Sequence, residues 1–108
     1  MRFERTDPFK ADYRRLTPEE RATFREAARE FNDACDRFIE TRDPAMWPAR
    51  LRVKAVTGAL GVFEMTWSFR GPDGRASWEW VTVVDESGED HPAVRWRRLG
   101  NHRILRDP

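Results

Sequence analysis

Residues 61–80 read GVFEMTWSFRGPDGRASWEW, and this stretch decides the fold class because large apolar and polar side chains alternate along it. Alternation with a period of two is typical of half-buried β-strands. The sequence Gly-Pro-Asp-Gly at 71–74 is a strong turn signal between the two alternating runs, so the stretch predicts a β-hairpin. The positions expected to face the core are Phe63, Met65, Trp67, Phe69, Trp78 and Trp80.

Further segments with the same period flank the hairpin. Leu51, Val53 and Ala55 alternate with cationic residues before it. Val94 and Trp96 alternate with arginines after it, and Gly100 is expected to end that strand, with a short strand added at 101–104. Residues 85–92 form an acidic, turn-rich connection. The C-terminal half therefore predicts an antiparallel sheet.

Two helices are predicted in the N-terminal half. After a short strand at 3–6, Asp7 is expected to cap the first helix, with a proline at its first helical position. Thr17 and Glu20 have the spacing of a capping box, which predicts the start of a second helix over 18–40.

An apolar stripe runs along the second predicted helix in steps of three and four residues. Its members are Phe24, Ala28, Phe31, Cys35 and Phe38. Such a stripe packs on the sheet of its own domain or binds a partner helix, and we favour the sheet. Cys35 is then a small buried apolar residue rather than a nucleophile. The fold class is α+β, with two N-terminal helices packed on one face of a twisted antiparallel sheet.

The length of the chain and its numbers of cysteine and histidine residues limit the classes of function that are possible. A length of 108 residues fits a single domain, 1–108. One cysteine excludes an internal disulfide and suits a reducing cytoplasm. We expect a cytoplasmic protein, because the charged N-terminus lacks a signal-peptide pattern and no segment is apolar enough to span a membrane. Two isolated histidines and no nucleotide-binding fingerprint predict neither a metal nor a cofactor.

The polar face of the predicted sheet is rich in arginine, although the formal net charge is only +1. Strand alternation places five cations and two carboxylates on this face. The cations are Arg52, Lys54, Arg75, Arg95 and Arg97, and the carboxylates are Glu64 and Glu79. One interpretation is a solvated face with cross-strand ion pairs. The other, which we favour, is a surface for the phosphates of a nucleic acid.

Cleavage of RNA on this face would need a general base for the 2′-hydroxyl and a general acid for the leaving oxygen. Glu64 and Glu79 are the candidates for the base, unless neighbouring arginines hold them in ion pairs. His102 is the best titratable candidate, and the alternative is that it caps a turn. Cations on the face would stabilise a pentacovalent phosphorane.

Three segments resemble the RelE/ParE superfamily of bacterial toxins. The first is Phe3-x5-Phe9-x3-Tyr13-x2-Leu16, similar to the family's first strand and helix. The second is WPARLRVK at 47–54 followed by GVFEM at 61–65, and the third is RWRRLGNHRI at 95–104. Together they span nearly the whole chain. The resemblance implies a RelE-like, microbial-ribonuclease-like fold.

The resemblance also implies roles for particular residues. Arg52 and Lys54 match the basic pair of the second strand, and Arg75 together with Arg95 or Arg97 matches the arginines that hold phosphate. Arg97 and His102 would assist catalysis. The chain has Glu64 where nuclease members often carry an arginine, and it lacks the final tyrosine of some members.

The function implied by the resemblance is that of a toxin from a type II toxin–antitoxin system. It would be a ribosome-dependent, metal-independent endoribonuclease that cleaves mRNA and is neutralised by a cognate antitoxin. Two alternatives remain open: a ParE-like toxin that inhibits DNA gyrase without cleaving anything, and a non-toxic RNA-binding relative. The sequence leaves open whether the protein is a monomer or a dimer.

Overall fold

The computed structural model describes residues 1–68 and 74–108 and has an α+β architecture. Two helices pack against a five-stranded sheet whose strand order is β1-β5-β4-β3-β2. The helices and strands are β1 (Arg2–Arg5), α1 (Asp7–Arg15), α2 (Pro18–Thr41), β2 (Lys54–Ala55), β3 (Val62–Ser68), β4 (Gly74–Val84) and β5 (Asp90–Asn101). Short 3₁₀ helices span Pro44–Met46, Ala49–Leu51 and His102–Arg106.

The sheet is mixed rather than wholly antiparallel. β2, β3, β4 and β5 pair antiparallel, as predicted, but β1 pairs parallel to β5. Side-chain alternation indicates which face a residue occupies and carries no information about the direction of the neighbouring strand. The predicted turn at 71–74 and Phe69 lie largely outside the described residues, which resume at Gly74.

Both helices begin at capping interactions, one of which differs from expectation. Thr6, not Asp7, caps α1, because its Oγ1 accepts a hydrogen bond from the Phe9 backbone N–H at 3.2 Å. The predicted capping box of α2 is confirmed. The Thr17 hydroxyl accepts from the Glu20 N–H at 3.1 Å, and the Glu20 carboxylate accepts from the Thr17 N–H at 2.8 Å.

The core lies between α2 and the inner face of the sheet, as predicted from the two periodicities. Phe31 and Trp78 are fully buried, with ring centroids 4.9 Å apart. Each fully buried large apolar side chain contributes about 1.5–3 kcal/mol to stability. Other core side chains are Phe9, Phe24, Cys35, Leu51, Met65, Trp67, Val94, Trp96 and Leu99. Among the described residues, no helix is both long and apolar enough to cross a membrane.

The segment before β3 differs from the predicted strand. Residues Ala49–Leu51 form a 3₁₀ helix, and Arg52 has a left-handed backbone with φ of 47°. Only Lys54 and Ala55 pair with β3. Arg52 therefore does not lie on a strand, because the chain turns there before it joins the sheet.

The polar face of the sheet also differs from expectation, because it is partly covered. The segment after β5 forms a 3₁₀ helix, His102–Arg106, instead of the expected short strand. Ile104 of this helix is 8% exposed, and its Cγ2 would lie 3.0 Å from a Cβ added to Gly100 of β5. Because glycine has no Cβ, Gly100 permits close packing of the 3₁₀ helix His102–Arg106, which we call the C-terminal cover, on the sheet.

A buried carboxylate joins α1 to β5. Asp12 is 5% exposed and accepts hydrogen bonds from the Leu99 backbone N–H at 3.0 Å and from Arg98 Nε at 2.8 Å. The carboxylate raises the pKa of the Arg98 guanidinium further above its usual value. Since buried charges need such partners, this contact anchors the first helix against the last strand.

Candidate active site

A cleft of about 330 Å³ lies where β2, β3 and β4 meet the C-terminal 3₁₀ helix. Its lining residues are Lys54, Ala55, Val56, Thr57, Glu64, Arg75, His102 and Leu105. We call it the His102 cleft. It brings together three of the six predicted site residues, namely Lys54, Arg75 and His102, with the carboxylate of Glu64.

Strand register places these side chains on one face. Lys54 is paired with Glu64 across β2 and β3, and Thr66 is paired with Arg75 across β3 and β4. Residues directly opposite each other in a ladder share a face, and diagonal neighbours remain within reach of long side chains. The Arg75 Nε lies 3.3 Å from the Glu64 Oε1, which is such a diagonal contact.

The Glu64–Arg75 ion pair is buried at the floor of the cleft. Glu64 is 5% exposed and Arg75 is 8% exposed, so the cross-strand ion pair of the alternative interpretation is present but lies on a buried face and not on a solvated one. Burial removes two charges from water, and their mutual attraction has to offset that cost. A carboxylate and a guanidinium are thus held in a poorly solvated position where electrostatic interactions are strong.

Two hydroxyl groups lie on the same sheet face. Thr66 is 2% exposed and Ser77 is fully buried. Neither Thr66 Oγ1 nor Ser77 Oγ has a hydrogen-bond partner within the part of the chain that the structure describes. Buried polar groups are normally hydrogen-bonded, so this block of the sheet has spare donor and acceptor capacity.

His102 is the first residue of the C-terminal 3₁₀ helix, at the exposed side of the cleft. The cap of this helix is Asn101, whose Oδ1 accepts from the Arg103 backbone N–H at 2.9 Å. The alternative that His102 serves as the cap is therefore wrong. The imidazole is exposed and remains available for chemistry.

The other predicted cations lie outside the cleft. Arg95 forms ion pairs with Glu79 at 3.0 Å and with Glu4 at 3.5 Å. Arg97 pairs with the other oxygen of Glu79 and donates to the Pro108 main-chain oxygen at 3.0 Å. Glu79 is thus held between two arginines, as one sequence interpretation expected.

Arg97 and His102, which the sequence predicts to act together in catalysis, do not line the same cleft. Arg97 lines a separate cleft of about 240 Å³ together with Thr6, Arg98 and Pro108, whereas His102 lines the larger one. Arg52 is exposed and is not among the lining residues of the His102 cleft. The β4–β5 pairing contains a bulge on β5, because Ser77 pairs with Arg98 and Trp78 pairs with Trp96, so that Arg97 is skipped in the register.

The acidic connection between β4 and β5 contains a group with metal-ligand chemistry. Candidate ligand atoms of Asp85, Glu89 and His91 lie within 4.8 Å of one another. Asp85 already accepts hydrogen bonds from Ser87 Oγ at 2.7 Å and from the Glu89 N–H at 3.0 Å, and contacts His91 Nε2 at 2.6 Å. These hydrogen bonds, of which the one from Ser87 has the largest effect, hold the pKa of Asp85 below its usual range. They are sufficient to stabilise the turn, so its geometry does not require a bound cation.

Sequence reasoning missed three features of the site. It did not predict the burial of Glu64 with Arg75, the covering 3₁₀ helix, or the role of Asp12. The apolar pair Ile104–Leu105 within a charged tail was a usable signal for the cover, because an apolar pair in such a tail favours packing.

Comparison of the chain with protein-family models, with curated proteins and with solved structures gives no significant match.

Proposed function

We propose that the protein is a metal-independent endoribonuclease and that the His102 cleft is its active site. The observation that carries this proposal is the convergence of a carboxylate, an imidazole and two cations in one cleft. These are the groups that transesterification of RNA requires: a base, an acid and positive charge for the phosphorane.

In this mechanism the phosphate draws Arg75 away from its ion pair with Glu64, and Glu64 then removes the proton of a 2′-hydroxyl. The 2′-oxygen attacks the adjacent phosphorus, and the bond from phosphorus to the 5′-oxygen breaks. His102, protonated beforehand, gives its proton to that leaving oxygen. The products are a 2′,3′-cyclic phosphate and a free 5′-hydroxyl. Glu64 gains one proton and His102 loses one, so the reaction needs no added cofactor.

Lys54 and Arg75 provide the positive charge. Both lie beside Glu64, Lys54 across the strand pair and Arg75 by direct ion pairing. An arginine fork binds phosphate oxygens in two places at once, and lysine acts as a point charge. Because Arg75 is 8% exposed, its interaction with a phosphate would be only weakly screened by salt.

We further propose that the protein acts as a RelE-like toxin in the cytoplasm, cleaving mRNA on the ribosome and neutralised by a cognate antitoxin. The resemblance of three sequence segments supports this context. The cleft chemistry favours it over inhibition of gyrase, because binding a protein target requires neither a general base nor a general acid.

A test in cells separates these possibilities. Induced expression without an antitoxin should stop growth and translation within minutes, with cuts in translated messages. Growth arrest with intact messages and altered DNA supercoiling would support gyrase as the target, and normal growth would contradict a toxin of either kind.

A test in solution addresses the site itself. His102→Ala should abolish cleavage of messenger RNA bound to ribosomes, because the leaving oxygen loses its acid. Since His102 is exposed, the variant should keep its fold. His91→Ala, which removes the other histidine of the chain at the far hairpin, is the matched control and should remain active.

A further inference from the structure

A second cleft, of about 320 Å³, lies on the helix side of the sheet, between β1 and the two helices. Its aromatic lining consists of Phe3, Phe9, Tyr13, Phe24 and Trp96, and we call it the aromatic cleft. Phe9 stacks on Trp96 at 5.8 Å, and Phe24 meets Trp96 edge-on at 5.4 Å. These packed rings form a preformed apolar wall. The volume falls within the range of small-molecule sites, about 300–1,000 Å³.

Three arginines surround this apolar wall. Arg5 comes from β1, and Arg25 and Arg29 come from α2. Arg25 donates a hydrogen bond to the Tyr13 hydroxyl at 2.7 Å, and the Arg5 guanidinium lies 5.9 Å from the Phe3 ring centroid. Among the described residues, no carboxylate forms an ion pair with any of the three. Arginine forks without a carboxylate partner, beside an aromatic surface, complement an anion attached to an apolar group.

Asn32 adds a polar group to the same cleft. Its Oδ1 is buried and accepts no hydrogen bond from the described part of the chain. A buried acceptor without a partner is costly, so a ligand that donates an N–H or O–H to it would gain affinity.

We propose that the aromatic cleft binds a small aromatic carboxylate. The ring lies among the aromatic side chains, the carboxylate is bound by arginine, and a donor on the ring reaches Asn32. A nucleotide offers the same combination of a ring and an anion. Its base carries several polar groups, which the apolar wall would leave without hydrogen bonds, so the carboxylate fits better.

Calorimetric titration of the full chain with indole-3-acetate tests this proposal, since this probe has an aromatic ring, a carboxylate and one N–H donor. We expect measurable binding. Indole-3-acetamide, which is neutral, should bind roughly tenfold more weakly or worse, because a charge-assisted hydrogen bond is lost. The 1-methyl derivative of indole-3-acetate lacks the donor for Asn32 and should also bind more weakly.

Variants locate the site. The double variant Arg25→Gln/Arg29→Gln should lose roughly tenfold or more in affinity for indole-3-acetate. Arg37→Gln, an exposed arginine of α2 outside the cleft, should leave the affinity unchanged. Circular dichroism verifies that each variant is folded.

Several results would overturn the proposal. They are an absence of binding at millimolar indole-3-acetate, equal affinity for the acetamide, and an unchanged affinity in the double variant. Tighter binding of adenosine 5′-monophosphate would assign the cleft to nucleotides instead. A stable dimer in sedimentation that dissociates in the double variant would assign it to a second copy of the chain.

Discussion

At the scale of single residues, the buried ion pair of Glu64 and Arg75 is expected to have the largest effect on the free energy of unfolding. Each side chain is less than a tenth exposed, and Arg75 Nε lies 3.3 Å from Glu64 Oε1. Removing one partner of a buried ion pair leaves the other charge without compensation, which is more costly than replacing both.

Arg75→Met is therefore expected to lower the free energy of unfolding by about 3–5 kcal/mol. Glu64→Gln should also destabilise the protein, and the double variant should lose less than the sum of the two changes. Urea denaturation measures all three. Glu86→Gln, in the exposed hairpin connection, is the control and should change stability by less than about 0.5 kcal/mol. Strictly additive losses would show that the pair is not coupled.

Cys35 is a second residue whose environment predicts a measurable property. Its side chain is fully buried in the core, and burial first, then the nearby charge of Asp36, raises the pKa of the thiol far above its usual value. Since the thiolate is the reactive form, the native thiol should be inert.

Labelling with a disulfide reagent tests this expectation. The native protein should react very slowly, and raising the pH to about 9 should accelerate the reaction little, whereas an ordinary thiol, with a pKa near 8.5, would become mostly ionised. Unfolding in guanidinium should expose one reactive thiol per chain. Rapid labelling under native conditions would place Cys35 at the surface.

At the scale of elements, the start of α1 shows how one hydrogen bond distinguishes two adjacent candidate caps. Thr6 Oγ1 accepts from the Phe9 N–H and also donates to the Arg97 carbonyl at 2.7 Å. Asp7 lies within the first turn, where a negative charge interacts favourably with the helix dipole.

Thr6→Ala should thus cost about 1–2 kcal/mol of stability, because the cap and the bond to β5 are lost together. Asp7→Ala should cost less, about 0.3–1 kcal/mol, since only the dipole interaction and a long contact to Lys10 are removed. Thermal unfolding of the two variants compares them directly. A larger loss for Asp7→Ala would make Asp7 the effective cap.

Most elements were predictable because their signals are local. The capping box at Thr17, the stripe through Phe31 and the alternation around Trp78 each involve residues close in sequence, and each corresponds to an observed element. The parallel pairing of β1 with β5 joins residues about 90 positions apart, such as Phe3 and Val94. A local pattern does not determine the partner of such a strand or its direction.

The candidate site was predictable only in part, for the same reason. Strand alternation placed Lys54 and Arg75 on one face, and the resemblance singled out His102. The burial of this face depends on the C-terminal 3₁₀ helix, which packs through Ile104 against a glycine of β5. The bulge at Arg97 depends on how two strands align, which neither strand shows alone.

At the scale of the whole molecule, the sheet separates two different clefts. The His102 cleft on one face combines a carboxylate, an imidazole and cations, and the aromatic cleft on the helix side combines rings with arginines. Because the cations near Glu79 are engaged in ion pairs, the arginine-rich face is not a uniform surface for phosphate. The cleft that we propose as the active site lies where β2, β3 and β4 meet the C-terminal 3₁₀ helix.

The central claim is that this cleft cleaves RNA through the 2′-hydroxyl. The most direct measurement is mass spectrometry of the products from an RNA oligonucleotide that is bound as messenger to ribosomes and incubated with the purified chain. A second oligonucleotide carries 2′-deoxyribose at the cleaved position. The proposed mechanism predicts 2′,3′-cyclic phosphate ends from the first and no cleavage of the second at that position. Cleavage of the deoxy substrate at the same site, or 5′-phosphate ends, would contradict it.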